Sequence, residues 1–128
     1  MIERIFPAGA PVPKGPYSPA VRAGDFVFVS GHVPADPSTG ELRLGTIEHE
    51  TRLTLNNVKR ALEAAGAACA DVVKVNVYLR DGNDWGAMNA VYAEFFGQDK
   101  PARTTVGVQF AHPEMKIEID CVAWRPLR

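Results

Sequence analysis

Four consecutive residues, Phe26-Val27-Phe28-Val29, would be apolar on both sides of any strand they form. Side chains alternate across a strand, so Phe26 and Phe28 share one face while Val27 and Val29 share the other. Such a strand needs cover above and below. The rest of the chain offers two helical patterns, and two helices cover only one face of a sheet. The second face must then find its cover in another subunit. From the residues alone the expectation is an oligomer.

The 128 residues suffice for one domain, read as 1–128. A chain of this size buries roughly two-thirds of its unfolded surface. Hydrophobic residues make up 46% and charged residues 23%, a globular balance. A net charge of -1 advertises no nucleic-acid surface, so no nucleic-acid partner is expected. No apolar run has the length of a membrane span, and the N-terminus lacks a basic-then-apolar signal pattern. Cys69 and Cys121 sit among apolar neighbours and read as buried free thiols of a reducing compartment, consistent with a cytoplasmic protein. His32, His49 and His112 are scattered with no metal-ligand spacing, and no metal is expected.

Residues 7–19 carry five prolines, Pro7, Pro11, Pro13, Pro16 and Pro19, and cannot form a helix. They read as an ordered loop that delivers Tyr17. Residues 21–30 form a hairpin turning at Gly24. A polar loop from Pro34 to Gly45 turns at Pro37 and Gly40. Thr46 can cap a helix running to about Ala65, with Ile47, Leu55, Val58, Leu62 and Ala65 as its stripe and Gly66 as its end. Val73, Val75, Val77 and Leu79 alternate with polar partners in a strand. Asn83 or Asp84 caps a second helix with Trp85, Met88, Tyr92 and Phe95 as core stripe, closed by Gly97. Strands follow around 104–109 and 116–124, and the order is β-β-β-α-β-α-β-β.

Two polar residues interrupt those last strands. Arg103 opens one, and Glu118 sits inside the next on the face of Lys116 and Asp120. A guanidinium fork grips a carboxylate through two parallel hydrogen bonds, and a protected carboxylate can take a proton from water. If the two strands pair, both groups face one small anion. The alternative is a structural Arg–Glu pair.

Pro101-Ala102-Arg103-Thr104-Thr105-Val106, followed by Lys116-Ile117-Glu118-Ile119-Asp120, resembles the RidA/YjgF family of enamine/imine deaminases. Gly15-Pro16-Tyr17-Ser18-Pro19-Ala20, Val29-Ser30-Gly31-His32-Val33-Pro34 and Met88-Asn89-Ala90-Val91-Tyr92-Ala93-Glu94-Phe95-Phe96 extend the resemblance over nearly the whole chain. It implies an α+β, chorismate-mutase-like single domain, with two helices on one face of the sheet. It also implies a homotrimer with a ligand cleft at each interface, and no cofactor. By the same resemblance Arg103 binds the substrate carboxylate and Glu118 activates water or relays a proton. Thr105 contributes through its backbone, and Tyr17, Ser30, Gly31 and Asn89 line the site. Each has an ordinary alternative: Tyr17 as a plug of the cleft, Ser30 and Gly31 as a turn, Asn89 as an exposed helix amide. Asp120 reads as structural.

Two positions depart from the family pattern. His32 stands where glutamine is usual, which leaves the subfamily open. Thr105 stands where cysteine is frequent, which removes thiol chemistry. The implied activity is hydrolysis of a small 2-imino or enamino acid to a 2-oxo acid and ammonia. The rivals are a pathway-specific deaminase acting on aminoacrylate or aminomuconate, an endoribonuclease or translation inhibitor, and a non-enzymatic binder of small carboxylates.

Overall fold

The computed structural model describes residues 1–127. Six strands and two helices follow the order read from the sequence: β1 Ile2–Ile5, β2 Ala20–Ala23, β3 Phe26–His32, α1 Ile47–Ala64, β4 Val72–Leu79, α2 Trp85–Phe96, β5 Ala102–Gly107 and β6 Ile117–Trp124. They form a single sheet ordered β1-β2-β3-β6-β4-β5. The turn between β2 and β3 needs a positive φ, which Gly24 supplies at 60°. Helix α1 begins where expected, because the Thr46 hydroxyl accepts from the His49 N–H at 3.1 Å. It packs on β3, β6 and α2, with Leu55, Val58, Ala61 and Leu62 fully buried.

The core lies between this helical layer and one face of the sheet. Val27 and Val29 of β3, Val75, Val77 and Leu79 of β4, and Ile117, Ile119, Cys121 and Ala123 of β6 all point into it. Three readings of the local pattern need correction. Val73 is 46% exposed and Val72 takes the core position, because the β4–β6 register shifts between Val72 and Lys74. Trp85 is also largely exposed, and α2 buries Val91 and Phe96 beside Met88 and Tyr92 instead. Asp84 precedes α2 without a side-chain cap, while Asp81 accepts from the Asn83 N–H at 2.9 Å one turn earlier. Cys121 is buried but Cys69 only partly so, and both are free.

Phe26, Phe28 and Trp124 stand on the opposite face of the sheet, 43–49% exposed in the single chain. Phe26 pairs with Trp124 and Phe28 with Val122, so they form one continuous apolar patch. These half-exposed rings make up the second apolar face that the alternation in Phe26-Val27-Phe28-Val29 predicts.

Two buried charges fasten the layers. The Arg22 guanidinium donates to the carbonyls of Ala65 at 2.9 Å, Gly24 at 3.0 Å and Arg125 at 2.9 Å. It thereby joins the end of α1, the hairpin turn and the residue that follows β6. The Glu50 carboxylate, wholly buried on α1, accepts from the Lys116 N–H at 2.9 Å, the Lys116 Nζ at 3.2 Å and the Gly45 N–H at 3.1 Å. This anchors the start of β6 just before Glu118.

Candidate functional site

Strands β5 and β6 do not pair. The β4–α2–β5 crossover lays β5 parallel to β4, with Arg103 opposite Val75, and β6 runs antiparallel along the other edge of β4. The crossover sets β5 on the edge of β4 that β6 does not occupy, which leaves β4 between the two. Arg103 shares the helix-side face with Val75, whereas Glu118 is opposite Tyr78 on the other face. The single chain therefore holds Arg103 and Glu118 apart, on opposite faces and two strand spacings apart, about 10 Å laterally. Neither one small substrate nor a structural ion pair joins them within one chain.

Around Arg103 the environment is well defined. Its Nη1 donates to the Asn89 Oδ1 at 2.7 Å and lies 3.9 Å from the Met88 sulfur. Its Cζ sits 4.7 Å from the centre of the Tyr92 ring and 6.0 Å from that of Trp85. No protein partner takes Nε or Nη2 among the described residues. Those two groups form the parallel edge that suits a carboxylate. Asn89 thus meets Arg103 rather than standing apart as an exposed helix amide.

Thr105 follows on the same strand. The Val108 N–H donates to the Leu79 carbonyl at 2.9 Å, and a parallel ladder alternates. Even-numbered residues of β5 therefore bond β4, while the N–H and C=O of Thr105 turn to the free sheet edge. The Thr105 hydroxyl is buried without a partner, as is the phenol of Tyr92. Burial pushes the Tyr92 phenol up to about 12, against the pull of Arg103.

A second cluster surrounds Glu118. Gly31 lies so close to its carboxylate that any side chain at Gly31 would collide with Oε2. Among the described residues the carboxylate accepts no hydrogen bond. Burial, reinforced by neighbouring Asp120, raises its pKa above the usual carboxylate value. Asp120 itself is structural: it accepts from the Asn76 amide at 2.9 Å and the Tyr78 hydroxyl at 2.7 Å. That bond to Asp120, with burial, drives the Tyr78 phenol up to about 12.

Ser30 and Gly31 lie in the register shift between Val29 and His32, where the ladder of β3 with β6 is interrupted before it resumes at His32 opposite Ile119. The Ser30 N–H and hydroxyl donate to the carbonyls of Pro19 at 3.0 Å and Ser18 at 2.6 Å. The serine fixes the proline-rich loop that carries Tyr17, whose ring is 54% exposed. His32 donates from Nδ1 to the Ser30 carbonyl at 2.7 Å, and its desolvation outweighs that bond and lowers its pKa. Tyr17, Gly31 and His32 also border an open pocket of about 460 Å³ lined in part by Pro11, Pro13 and Pro37. No group of three or more His, Cys, Asp or Glu among the described residues is placed to hold a metal ion. No described helix is long and apolar enough to cross a membrane.

The aromatic lining of Arg103 was not anticipated. Trp85, Met88 and Tyr92 read as core from their helical spacing. Met88 and Tyr92 are buried, yet these residues also flank the guanidinium. The spacing shows that they share a helix face. What that face packs against depends on the crossover, which spacing does not encode.

The fold and the two clusters define a class: a small α+β domain with an oriented arginine fork at one sheet edge and a desolvated carboxylate on the uncovered face. The Endoribonuclease L-PSP family model matches residues 8–125. A RutC family protein of Pyrococcus horikoshii is 50% identical over 98% of this chain and 99% of its own length. A 2-iminobutanoate/2-iminopropanoate deaminase of Dermatophagoides farinae is 42% identical over 88% of each chain. The 3-aminoacrylate deaminase RutC of Acinetobacter baylyi is 40% identical over 94% of this chain and 96% of its own. The structure of E. coli TdcF with bound serine superposes with a TM-score of 0.88 at 36% identity, covering 96% of this chain and 98% of that one. The chain belongs to the RidA/YjgF family.

Proposed function

We propose that the protein hydrolyses small 2-imino acids and their enamine tautomers, and that it does so as a homotrimer whose sites lie between subunits. The Arg103 cluster of one subunit faces the Glu118 cluster of the next. The substrate carboxylate docks on the Nε/Nη2 edge of Arg103, and the Thr105 backbone at the free edge of β5 holds the imine. Water loses a proton to Glu118 as its oxygen bonds to the imine carbon and the C=N π bond opens, and Glu118 returns that proton to the nitrogen to give a tetrahedral carbinolamine; its hydroxyl proton then passes by way of Glu118 to the amino group as the C–N bond breaks and the C=O bond forms, leaving a 2-oxo acid and ammonia. Catalysis consists largely of positioning, because imines already hydrolyse in water. No cofactor has a step in this scheme.

The observation that carries the reading is the unpartnered Nε/Nη2 edge of an arginine already tied back through Nη1. The deaminase names of two relatives and the serine held by TdcF support the substrate class. The aminoacrylate relative favours a second, narrower reading, in which a three-carbon enamine is the sole substrate. A serine or threonine dehydratase coupled to this protein tests both. Faster decay of the imine from each amino acid supports the broad activity, and acceleration with the serine product alone supports the narrow one. Unchanged decay with both refutes hydrolysis and leaves a carboxylate binder. With a net charge of -1, binding to generic single-stranded RNA at moderate salt should be undetectable. RNA cleavage that disappears in Arg103→Ala would install the ribonuclease reading.

A further inference from the structure

We infer that Tyr92 is a positioning residue for Arg103: its ring is the platform that fixes the plane of the guanidinium and so aims the Nε/Nη2 edge out of the domain. The inference rests on Arg103 as the carboxylate clamp. A guanidinium on a flexible stem has several orientations of similar energy, and one hydrogen bond leaves it free to swing about that bond. Here the Asn89 Oδ1 accepts from Nη1 at 2.7 Å, and the Met88 sulfur, 3.9 Å away, is a weak contact to that same nitrogen. The Tyr92 ring, 4.7 Å from Cζ, supplies the second restraint. Trp85, at 6.0 Å and largely exposed, is a weaker neighbour. Tyr92 itself is held firmly: it is 7% exposed, packs 4.6 Å from the Phe96 ring, and sits one helical turn from Met88 and Asn89 on α2. A buried ring that cannot move is a suitable support for a cation that must not move.

The hydroxyl of Tyr92 takes no part in this contact. It is buried without a partner, so phenylalanine would fill the same space without that unmet bond. What the tyrosine places beside the cation is a ring whose face attracts it. The ring, not the hydroxyl, is therefore the part that matters to Arg103.

Three variants separate this role from simple packing. Tyr92→Phe keeps the ring, Tyr92→Leu and Tyr92→Met remove it, and methionine guards against a cavity in the core. Two readouts are needed. Nitrogen-15 NMR of labelled arginine reports rotation of the Arg103 guanidinium and depends on no assumed activity. Calorimetry with pyruvate and the coupled dehydratase assay report what that rotation does to binding and turnover. In the wild type and Tyr92→Phe, rotation should be slow. In Tyr92→Leu and Tyr92→Met it should be fast, pyruvate binding should weaken roughly tenfold, and KM should rise in step while kcat changes little. Rotation that stays slow without the ring, or variants whose thermal stability falls while binding and KM hold, would overturn the inference. Fast rotation in a protein that neither binds pyruvate nor accelerates imine decay would retain the platform and refute the function built on it.

Discussion

At the scale of single residues, Arg103 and Glu118 make distinct demands. Arg103→Ala removes a charge-assisted pair of bonds, so acceleration of imine decay should largely vanish with the fold intact. Lysine should rescue poorly, because an ammonium cannot present the Nε/Nη2 edge or lie flat on Tyr92. A lysine variant with wild-type rates in the coupled assay would contradict the clamp. Glu118→Gln should slow hydrolysis by roughly a hundredfold, the scale of a positioned general base, while pyruvate binding holds. The same substitution should leave the melting temperature at pH 7 unchanged or raise it. Burial raises the folded-state pKa of Glu118, so the folded protein binds its proton more readily than the unfolded chain. Stability is then lost as pH rises from the unfolded pKa through the raised folded one, and glutamine escapes that loss. Activity should run the other way, increasing as Glu118 ionises, with its midpoint shifted upward from the ordinary glutamate value and no such limb in Glu118→Gln. A pH series on both proteins, by calorimetric melting and by rate, checks both signs.

At the scale of elements, the bulge that sets Gly31 against Glu118 is the most sensitive junction. Gly31→Ala should fold, because the colliding atom is the end of a flexible side chain. The displaced carboxylate should nonetheless cost roughly a hundredfold in rate, the usual consequence of a misplaced catalytic group. A variant with full activity and an unmoved melting temperature would show that the close approach has no functional weight. Elements of this kind also mark where sequence reading succeeds and fails. Thr46 and Gly66 bracket α1 because caps and positive φ values are local chemistry. The burial of Ile117, Ile119 and Cys121 opposite Glu118 was legible for the same reason, since alternation belongs to one strand. The slip that exchanges Val72 for Val73, the aromatic surround of Arg103 and the separation of β5 from β6 were not legible. Each depends on which distant strand or helix lies alongside, and no window of sequence contains that. Arg103 and Glu118 could be named individually from their motifs, but their placement on opposite faces emerged only from the sheet order.

At the scale of the molecule, the patch of Phe26, Phe28 and Trp124 and the divided site call for the same remedy, a second copy. Phe28→Asp should leave a folded monomer by light scattering at micromolar concentration and abolish turnover, although neither Arg103 nor Glu118 is altered. A trimer that survives the substitution would place the subunit contact elsewhere. The proposal that sites are shared between subunits is also open to a complementation test. Arg103→Ala and Glu118→Gln proteins, each inactive, should regain about a quarter of wild-type activity when unfolded together in equal amounts and refolded, because a random cyclic trimer restores both residues at that share of its interfaces. No recovery would mean that each subunit works alone. The sheet order has one more consequence, and it concerns how the chain comes into being. The last strand in sequence, β6, is laid down between β3 and β4. Until it arrives, the hairpin half and the β4–α2–β5 half share no ladder, and Arg22 lacks its Arg125 carbonyl. A chain synthesised only as far as β5 therefore carries two open sheet edges and an unfilled central slot, and its folding must wait for β6. That slot is also a docking place for a strand supplied in trans, so a chain ending before Lys116 should be rescued by a synthetic peptide carrying β6.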